Sequence, residues 1–561
     1  MNKALLILLA FAAGWTAQAA EAPVERIYVS TDRSVYIAGD AVWCSLFCLD
    51  EKGAYSNQSA VSYLELVSED GTVATAKIGL LEGRGAGSFR IPVTAPTGTY
   101  RLIAYTAVNA GEEGASWMAG SRLLSVFNTT STARVTDGEV LMNSESYERQ
   151  ETPQGAREGD LQLSMGTRQR RGAAVALTLH NKGAAADLTL SVYHDDNLLP
   201  PAEETSPGEF RKAIPSSVRL RPGASGVPEY DGEVISARVR GTRTQDPDDV
   251  SIATLSSAGA PTNVYIGRTE GDDRIDFYTS NIYGNREIVC EVSQLDRREG
   301  YIDFENPFLH PAVEGLPKLV LSPAQKEALT FRKAALRAEK DLRIDTLTTF
   351  MTHRKDLLLE GIGCRRYHLD DYTRFPSVRE IIVEFVHELR LLKDRKGKWS
   401  LDLAFTDAAH ARSYHSTNLL VMMDGVVLSD LDLLMDFDAM LLEDIDIYGQ
   451  SFACGKIAYN GLVNFITKKN YVTALRFPAN VRVFDFQGVA YPVAYGGSVP
   501  EGDGPDLRQL LYWHPVLKLD ADADYRLEFH APGYAGRFKV VAEGFTADGK
   551  PVRQEFSFEV E

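Results

Sequence analysis

From Arg26 to Asn128 the chain alternates short β-branched and aromatic runs with turn-forming residues. The runs are Arg26 to Val29, Ala41 to Leu49, Val61 to Val67, Thr72 to Ile78, Gly87 to Ile91 and Gly98 to Tyr105. Turns such as Glu69-Asp70-Gly71 and Pro96-Thr97-Gly98 separate them, a spacing that predicts an antiparallel β-sandwich. Residues 130–160 are polar and weakly periodic, and read as a linker. Strand-like text resumes at Leu161 to Met165, Ala174 to His180 and Leu188 to Tyr193, then at Val227 to Val239, Asp276 to Tyr278 and Asn285 to Cys290.

The pattern then changes period. Leu321 to Asp341 is rich in Ala, Leu, Lys, Glu and Arg, which favour helix, and this predicts a helical connector. A second helix is predicted from Ser377, where Ser377 and Glu380 form a capping box and Val378, Ile381, Ile382, Phe385 and Leu389 share one face. Leu419 to Leu428 reads as a buried strand with an Asp424-Gly425 turn into a second one. A helix over Leu431 to Leu442, a strand over Ile445 to Gly449 and a strand over Tyr459 to Lys469 follow. The tail has strand-like runs at Tyr525 to Phe529, Gly536 to Glu543 and Arg553 to Val560, read as one more sandwich.

The expected fold class is therefore multidomain and mainly β: serial Ig-like sandwiches, one small α/β domain and a short helical connector. The expected boundaries are 1–19 for a signal peptide, 20–129 for a first sandwich, 130–160 for the linker, 161–226 for a second sandwich and 227–300 for a third. The connector follows over 301–369, the α/β domain over 370–475 and a C-terminal sandwich over 476–561.

Several of these segments resemble known families. Tyr36-Ile-Ala-Gly-Asp-Ala-Val-Trp43, Gly85 to Pro92 and Ala95-Pro-Thr-Gly-Thr-Tyr-Arg-Leu102 resemble the macroglobulin-type (MG2-like) domain of α2-macroglobulins and of Bacteroidetes envelope proteins. Residues 161–226 resemble a second such unit, and the segment from Val227 is similar to the carboxypeptidase-regulatory sandwich, an accessory fold that brings no peptidase activity. Asp424-Gly425 followed by Tyr459-Asn-Gly-Leu-Val-Asn-Phe-Ile-Thr-Lys-Lys469 resembles the plug domain of TonB-dependent outer-membrane receptors. The run Asp506 to Pro515 resembles the tail of Bacteroidetes proteins that join macroglobulin-like and plug-like domains. Two departures limit what these likenesses imply. The chain has no Cys-Gly-Glu-Gln run, so the thioester chemistry of some macroglobulins is not expected. Ninety-one residues follow Asn470, too few for a transporter barrel of 22 strands, which needs well over roughly 200.

Targeting and charge narrow the setting. Lys3, the apolar run Ala4 to Ala13, and Ala17 and Ala19 follow the order of a secretory signal cleaved after Ala19. That run is short of the roughly 20 residues of a membrane-spanning helix, and no later stretch supplies one. Export, to the periplasm or in association with the outer membrane, is the expected localisation. The net charge is −18, which disfavours nucleic acid and anionic lipid as partners. Of five cysteines, Cys44 and Cys48 fall in one strand-like run, where their separation of about 13 Å exceeds the reach of a disulfide.

Candidate chemistry is sparse. Asp424, Asp430, Asp432, Asp436, Asp438, Glu443, Asp444 and Asp446 could offer oxygen ligands to calcium but lack the glycine and closing glutamate of an EF-hand, so a solvated helix face is expected. Asp520, Asp522 and Asp524 are expected in a loop, since three aligned carboxylates on a strand repel one another. His410 and His415, and His387 beside Glu384 and Glu388, form no recognisable zinc motif. The chain has no G-x-S-x-G and no Walker loop, so no enzyme, metal or cofactor is expected.

The expected function is a non-catalytic multidomain scaffold that binds a protein partner in the envelope, such as a receptor or outer-membrane assembly component. A plug without its barrel must be repolarised or find another cover, and the strand edge at Leu462, Val463, Phe465 and Ile466 is the expected contact surface. The alternative is a glycan- or peptide-binding module with Trp43, Trp117, Trp399 or Trp513 as platforms, and after it an accessory subunit of a TonB-dependent uptake system.

Overall fold

A computed structural model describes residues 23–135, 141–142, 157–196, 198, 205–221, 228–241, 251–259, 261–269, 273–280, 282–294, 300–341, 349–350, 359, 361–406, 412–415, 418–455, 457–497 and 505–561. The expected signal segment, most of the expected linker and His410 lie outside them. The chain is mainly β and divides into two compact units, one of residues 1–230, 308–351 and 490–561, the other of residues 231–307 and 352–489.

In the first unit, strands Arg26–Thr31, Ala41–Leu49 and Arg84–Arg90 make one face of a sandwich. Strands Gly71–Leu81, Val61–Ser68, Gly98–Tyr105, Arg122–Phe127 and Val35–Ile37 make the other, and the end of Gly71–Leu81 crosses over to pair with Arg84 and Gly85. Alternate residues point into the core, which holds Ile27, Val29, Val42, Leu64, Leu66, Ile78, Leu102 and Val126. Cys44 and Cys48 lie two pleats apart on the same strand, face that core together and are free thiols.

The second sandwich departs from the expected boundaries. Its larger sheet runs Arg157–Glu158, Pro551–Val560, Gly536–Thr546, Ala186–His194, Leu510–Leu519, and its smaller sheet runs Leu161–Ser164, Ala174–Asn181, Asp524–His530. Segments 157–194 and 510–560 thus build one domain with one core, including Leu177, Leu188, Leu190, Phe529, Val540 and Phe558, where separate sandwiches over 161–226 and 476–561 were expected. The reason is burial: Ala186–His194 is buried along almost its whole length, and a strand covered on both faces needs neighbours on both edges. Those neighbours come from the C-terminal segment.

Buried polar groups join the two sandwiches. Glu543, fully buried, accepts from Ser30 Oγ at 2.5 Å and Arg122 Nη1 at 3.2 Å, and pairs with Arg553 Nη1 at 3.0 Å. Arg84 donates to Asp187 from Nε at 2.8 Å and Nη2 at 2.5 Å.

The predicted connector helix forms over Lys326–Asp341 and docks on the first unit. Leu329 and Leu336 pack against Val35, Ile37, Phe127, Leu198 and Leu319, and Arg332 donates to Asp196 Oδ2 at 2.6 Å and to the Val35 carbonyl at 2.7 Å. Glu339 of this helix is pushed up to about 7, first by burial and then by Asp40, with Arg33 opposing. A carboxyl that holds its proton more tightly folded than unfolded favours the folded state below about pH 4.5, and that contribution is lost as pH rises through about 7. The stability of Glu339→Gln relative to the native protein is therefore expected to rise between those two pH values and level off above, as read by urea denaturation at several pH values.

The second unit contains the third sandwich and the α/β module. The sandwich pairs Arg274–Tyr278, Val234–Arg240 and Tyr301–Phe304 in one sheet, and Asn263–Arg268, Ser251–Ser257, Asn285–Gln294 and Val481–Gln487 in the other. It therefore takes one strand from the expected connector and one from the expected C-terminal sandwich.

The α/β module has a five-stranded mixed sheet in the order Cys364–His368, Leu442–Tyr448, Leu462–Thr467, Leu420–Met423, Val426–Val427. A three-stranded sheet of Leu389–Lys393, Trp399–Thr406 and Arg412–His415 stands beside it. The predicted turn between Met423 and Val426 has φ +49° at Asp424 and +84° at Gly425, the backbone that Asp-Gly favours in a two-residue hairpin. The predicted helix from Ser377 forms over Val378–Glu384, with Ser377 Oγ accepting from the Glu380 N–H at 3.3 Å. It ends before Phe385, and Leu389 opens a strand instead of continuing the helical face. The helix expected over Leu431 to Leu442 shortens to a turn of α-helix at Asp432–Met435 and a 3-10 turn at Ala439–Leu441, which Asp438 begins by accepting from the Met440 N–H.

Candidate docking groove on the α/β module

The expected contact strand is not an edge. Leu462–Thr467 is the middle strand of its sheet, parallel to Leu420–Met423 on one side and antiparallel to Leu442–Tyr448 on the other. Leu462, Val463 and Phe465 are fully buried and Ile466 is half-buried, so these four are core residues rather than a free surface. The physical cause is visible in their types: apolar side chains at consecutive positions leave neither face of the strand for water.

The acidic run is dispersed rather than laid along one helix face. Asp424 is buried in its turn and accepts from the Thr467 N–H at 2.6 Å, Thr467 Oγ1 at 2.7 Å and the Val472 N–H at 3.3 Å; burial still raises its carboxyl above the usual range. Asp446 takes a bidentate pair from Arg366 at 2.6 and 2.7 Å, and Asp444 binds His368 Nδ1 at 2.7 Å and raises that imidazole. Asp430 and Asp432 share Lys398 at 3.3 and 2.6 Å, which draws Asp432 below its ordinary value. Among the described residues no group of three or more His, Cys, Asp or Glu side chains is placed to hold a metal. Asp520 and Asp522 do lie in a loop, with Asp522 at φ +51°, and Asp524 opens the following strand against His180.

The tryptophans separate in the same way. Trp117 and Trp513 are buried, and Trp43 packs edge-on against Trp513 with centroids 5.2 Å apart. Trp399 borders an opening. The helix Val378–Glu384 lies against the Leu389–Lys393 strand, and between them runs a groove of about 500 Å³. Ile382, Leu389, Leu391 and Trp399 form its floor, and Arg379, Val383, His387 and Arg390 its rim. The register explains the floor: Leu389 stands opposite Leu403, Leu391 opposite Leu401 and Lys393 opposite Trp399, so this face of the hairpin is apolar until it runs out under the helix. Val383 is 62% exposed at the rim.

Charge at the groove opposes that of the chain. Lys393 sits over the Trp399 ring at 4.7 Å. Arg390 is held at 2.6 Å by the buried Asp402. Arg379, Arg395 and Lys396 are exposed and have no ion-pair partner among the described residues. The segment 390–398 carries five cations and one carboxylate in a protein of net charge −18. No motif marks this inversion, and a local count of charge along the chain is the signal that finds it.

With this geometry in view, comparison with known proteins adds the following. Residues 26–119 match the MG2 domain family, in agreement with the first sandwich. No curated protein matches the chain. Solved structures that it resembles include trypsin-activated alpha-2-macroglobulin from Escherichia coli, at 9% identity and TM-score 0.23 over 96% of this chain and 42% of that one. Latent dimeric PorU from Porphyromonas gingivalis matches at 10% identity and TM-score 0.17 over 54% and 34%. The adhesin InvE of Yersinia pseudotuberculosis matches at 12% identity and TM-score 0.14 over 50% and 57%. The chain thus spans less than half the length of the Escherichia coli macroglobulin. It is a multidomain, mainly β chain whose residues 26–119 match the MG2 domain, and none of its described helices is long and apolar enough to cross a membrane.

Proposed function

We propose that the protein is a non-catalytic scaffold of the cell envelope that holds a protein partner at the groove between the Val378–Glu384 helix and the Leu389–Lys393 strand. The observation that carries this reading is an open groove that displays Val383 beside the unpaired Arg379 at its rim, on an otherwise acidic chain. The sandwiches support the reading as a frame, since the ion pairs Arg122–Glu543 and Arg84–Asp187 join the two sandwiches of the first unit to each other. The plug-like resemblance of the α/β module agrees with a domain whose outer surface is adapted to contact another protein.

A photo-crosslinking side chain at Val383, compared with one at Tyr278, tests this in cells. Tyr278 is 70% exposed on the third sandwich and serves as the control. A discrete adduct is expected from Val383 and not from Tyr278. The same set of adducts from both positions contradicts the proposal.

A further inference from the structure

We infer that the segment bound in this groove is an acidic peptide of the partner, with one apolar side chain seated on the floor and carboxylates against the rim. The inference rests on the reading of the groove as a docking surface and adds the chemistry of what docks. The lining contains Arg379, His387 and Arg390 and no carboxylate. Arg390 is neutralised by Asp402, but Arg379, Lys393, Arg395 and Lys396 have no ion-pair partner among the described residues.

The nearest opposing charges are already engaged or point elsewhere. Asp394 accepts from the Lys396 and Lys398 N–H groups at 2.8 Å each, and Asp430 and Asp432 are taken by Lys398. Glu380 is held by Ser377, and Glu384 lies outside the lining. Arg379 in the lining and Lys393 over the Trp399 ring are the cations placed at the groove, and a carboxylate is the group whose charge complements them. The half-exposed Leu391 and Trp399 are the apolar side chains the groove offers to an apolar group, and the Lys393 ammonium lies over the Trp399 ring beside them. A basic peptide would meet like charge at Arg379 and Lys393, and a second copy of this acidic chain is the natural competitor for the same site.

The test uses the full chain and three fluorescein-labelled peptides of about ten residues, long enough to span an interface groove of this class. One alternates glutamate with leucine and carries a central phenylalanine, and the other two replace every glutamate by serine or by lysine. Fluorescence anisotropy is expected to show the acidic peptide binding about tenfold or more tighter than the serine peptide, with the advantage lost near 1 M salt, where the screening length falls to about 3 Å. Arg379→Glu is expected to weaken the acidic peptide by about tenfold, whereas Arg379→Lys retains most of the binding. Both changes are at an exposed side chain, and circular dichroism checks that the fold is kept.

Equal or tighter binding of the lysine peptide, or an unchanged affinity in Arg379→Glu, overturns the inference. If no peptide binds while the Val383 crosslink to a partner persists, the acidic-segment inference falls and the docking reading stands. If the Val383 adduct proves to be this chain itself, the occupant is a second copy and the inference also falls.

Discussion

Replacing Glu543 by alanine is expected to destabilise the first unit by about 3–5 kcal/mol, the range for removing one member of a buried charge group. Glu543 is fully buried between Arg122 and Arg553, and its loss removes the carboxylate they share, although Arg553 keeps Glu555 at 2.6 Å. Ser30 Oγ loses its acceptor as well. Because Ser30 and Arg122 belong to the first sandwich while Glu543 and Arg553 belong to the second, the loss acts on the joint between them. Urea unfolding followed by tryptophan fluorescence reads this directly, since Trp43, Trp117 and Trp513 lie in the first unit and Trp399 in the other. An early transition in the signal of the three, with the native midpoint retained for Trp399, is the expected result. Glu543→Ala with an unchanged first transition contradicts the buried joint.

Phe465→Ala is expected to cost the α/β module about 3–5 kcal/mol, as large-to-small changes of buried aromatics do. Phe465 lies fully buried in the middle strand, packed in the core with Val421, Met423, Ile445 and Val463. Hydrogen exchange of peptides covering Leu420–Met423 and Leu462–Thr467 should then accelerate by roughly a hundredfold to several thousandfold, because opening of the module becomes the easy route to exchange. Exchange at native rates, with partner binding lost instead, is the behaviour of a surface residue and contradicts the core assignment.

What the sequence made legible was local. The alternation and turns from Arg26 to Tyr105 define the first sandwich because one face of each strand is apolar and each turn carries its own residue chemistry. Ser377 and Asp424-Gly425 were readable for the same reason, since a cap and a hairpin turn depend on residues within three positions of each other. Pairing across more than 300 residues was not readable. Nothing in the periodicity of Ala186–His194 names Leu510–Leu519 and Gly536–Thr546 as its partners. Its alternation of Leu188, Leu190 and Val192 with Asp187, Thr189 and Ser191 reads as a strand with one polar face, and the burial of that polar face comes only with the tertiary fold.

The site was less legible than the fold. Leu462 to Ile466 was expected at an edge because a plug without a barrel must cover its surface, but the same apolar run is what buries a middle strand. The groove depends on where one short helix crosses a hairpin, and that crossing is set by the core residues Val378, Ile381, Leu401 and Leu403 rather than by any motif at the rim. The acidic run was expected to solvate a helix, whereas Arg366, His368 and Lys398 draw Asp444, Asp446, Asp430 and Asp432 into pairs from three different elements.

Hydrogen exchange of the full chain, with and without the partner captured through Val383, tests the docking groove most directly. The account predicts added protection in peptides covering Val378–Glu384 and Leu389–Lys393, extending to Trp399, with the MG2 domain unchanged. Protection that appears on the sandwiches and leaves the helix and hairpin exchanging as in the free protein would contradict it.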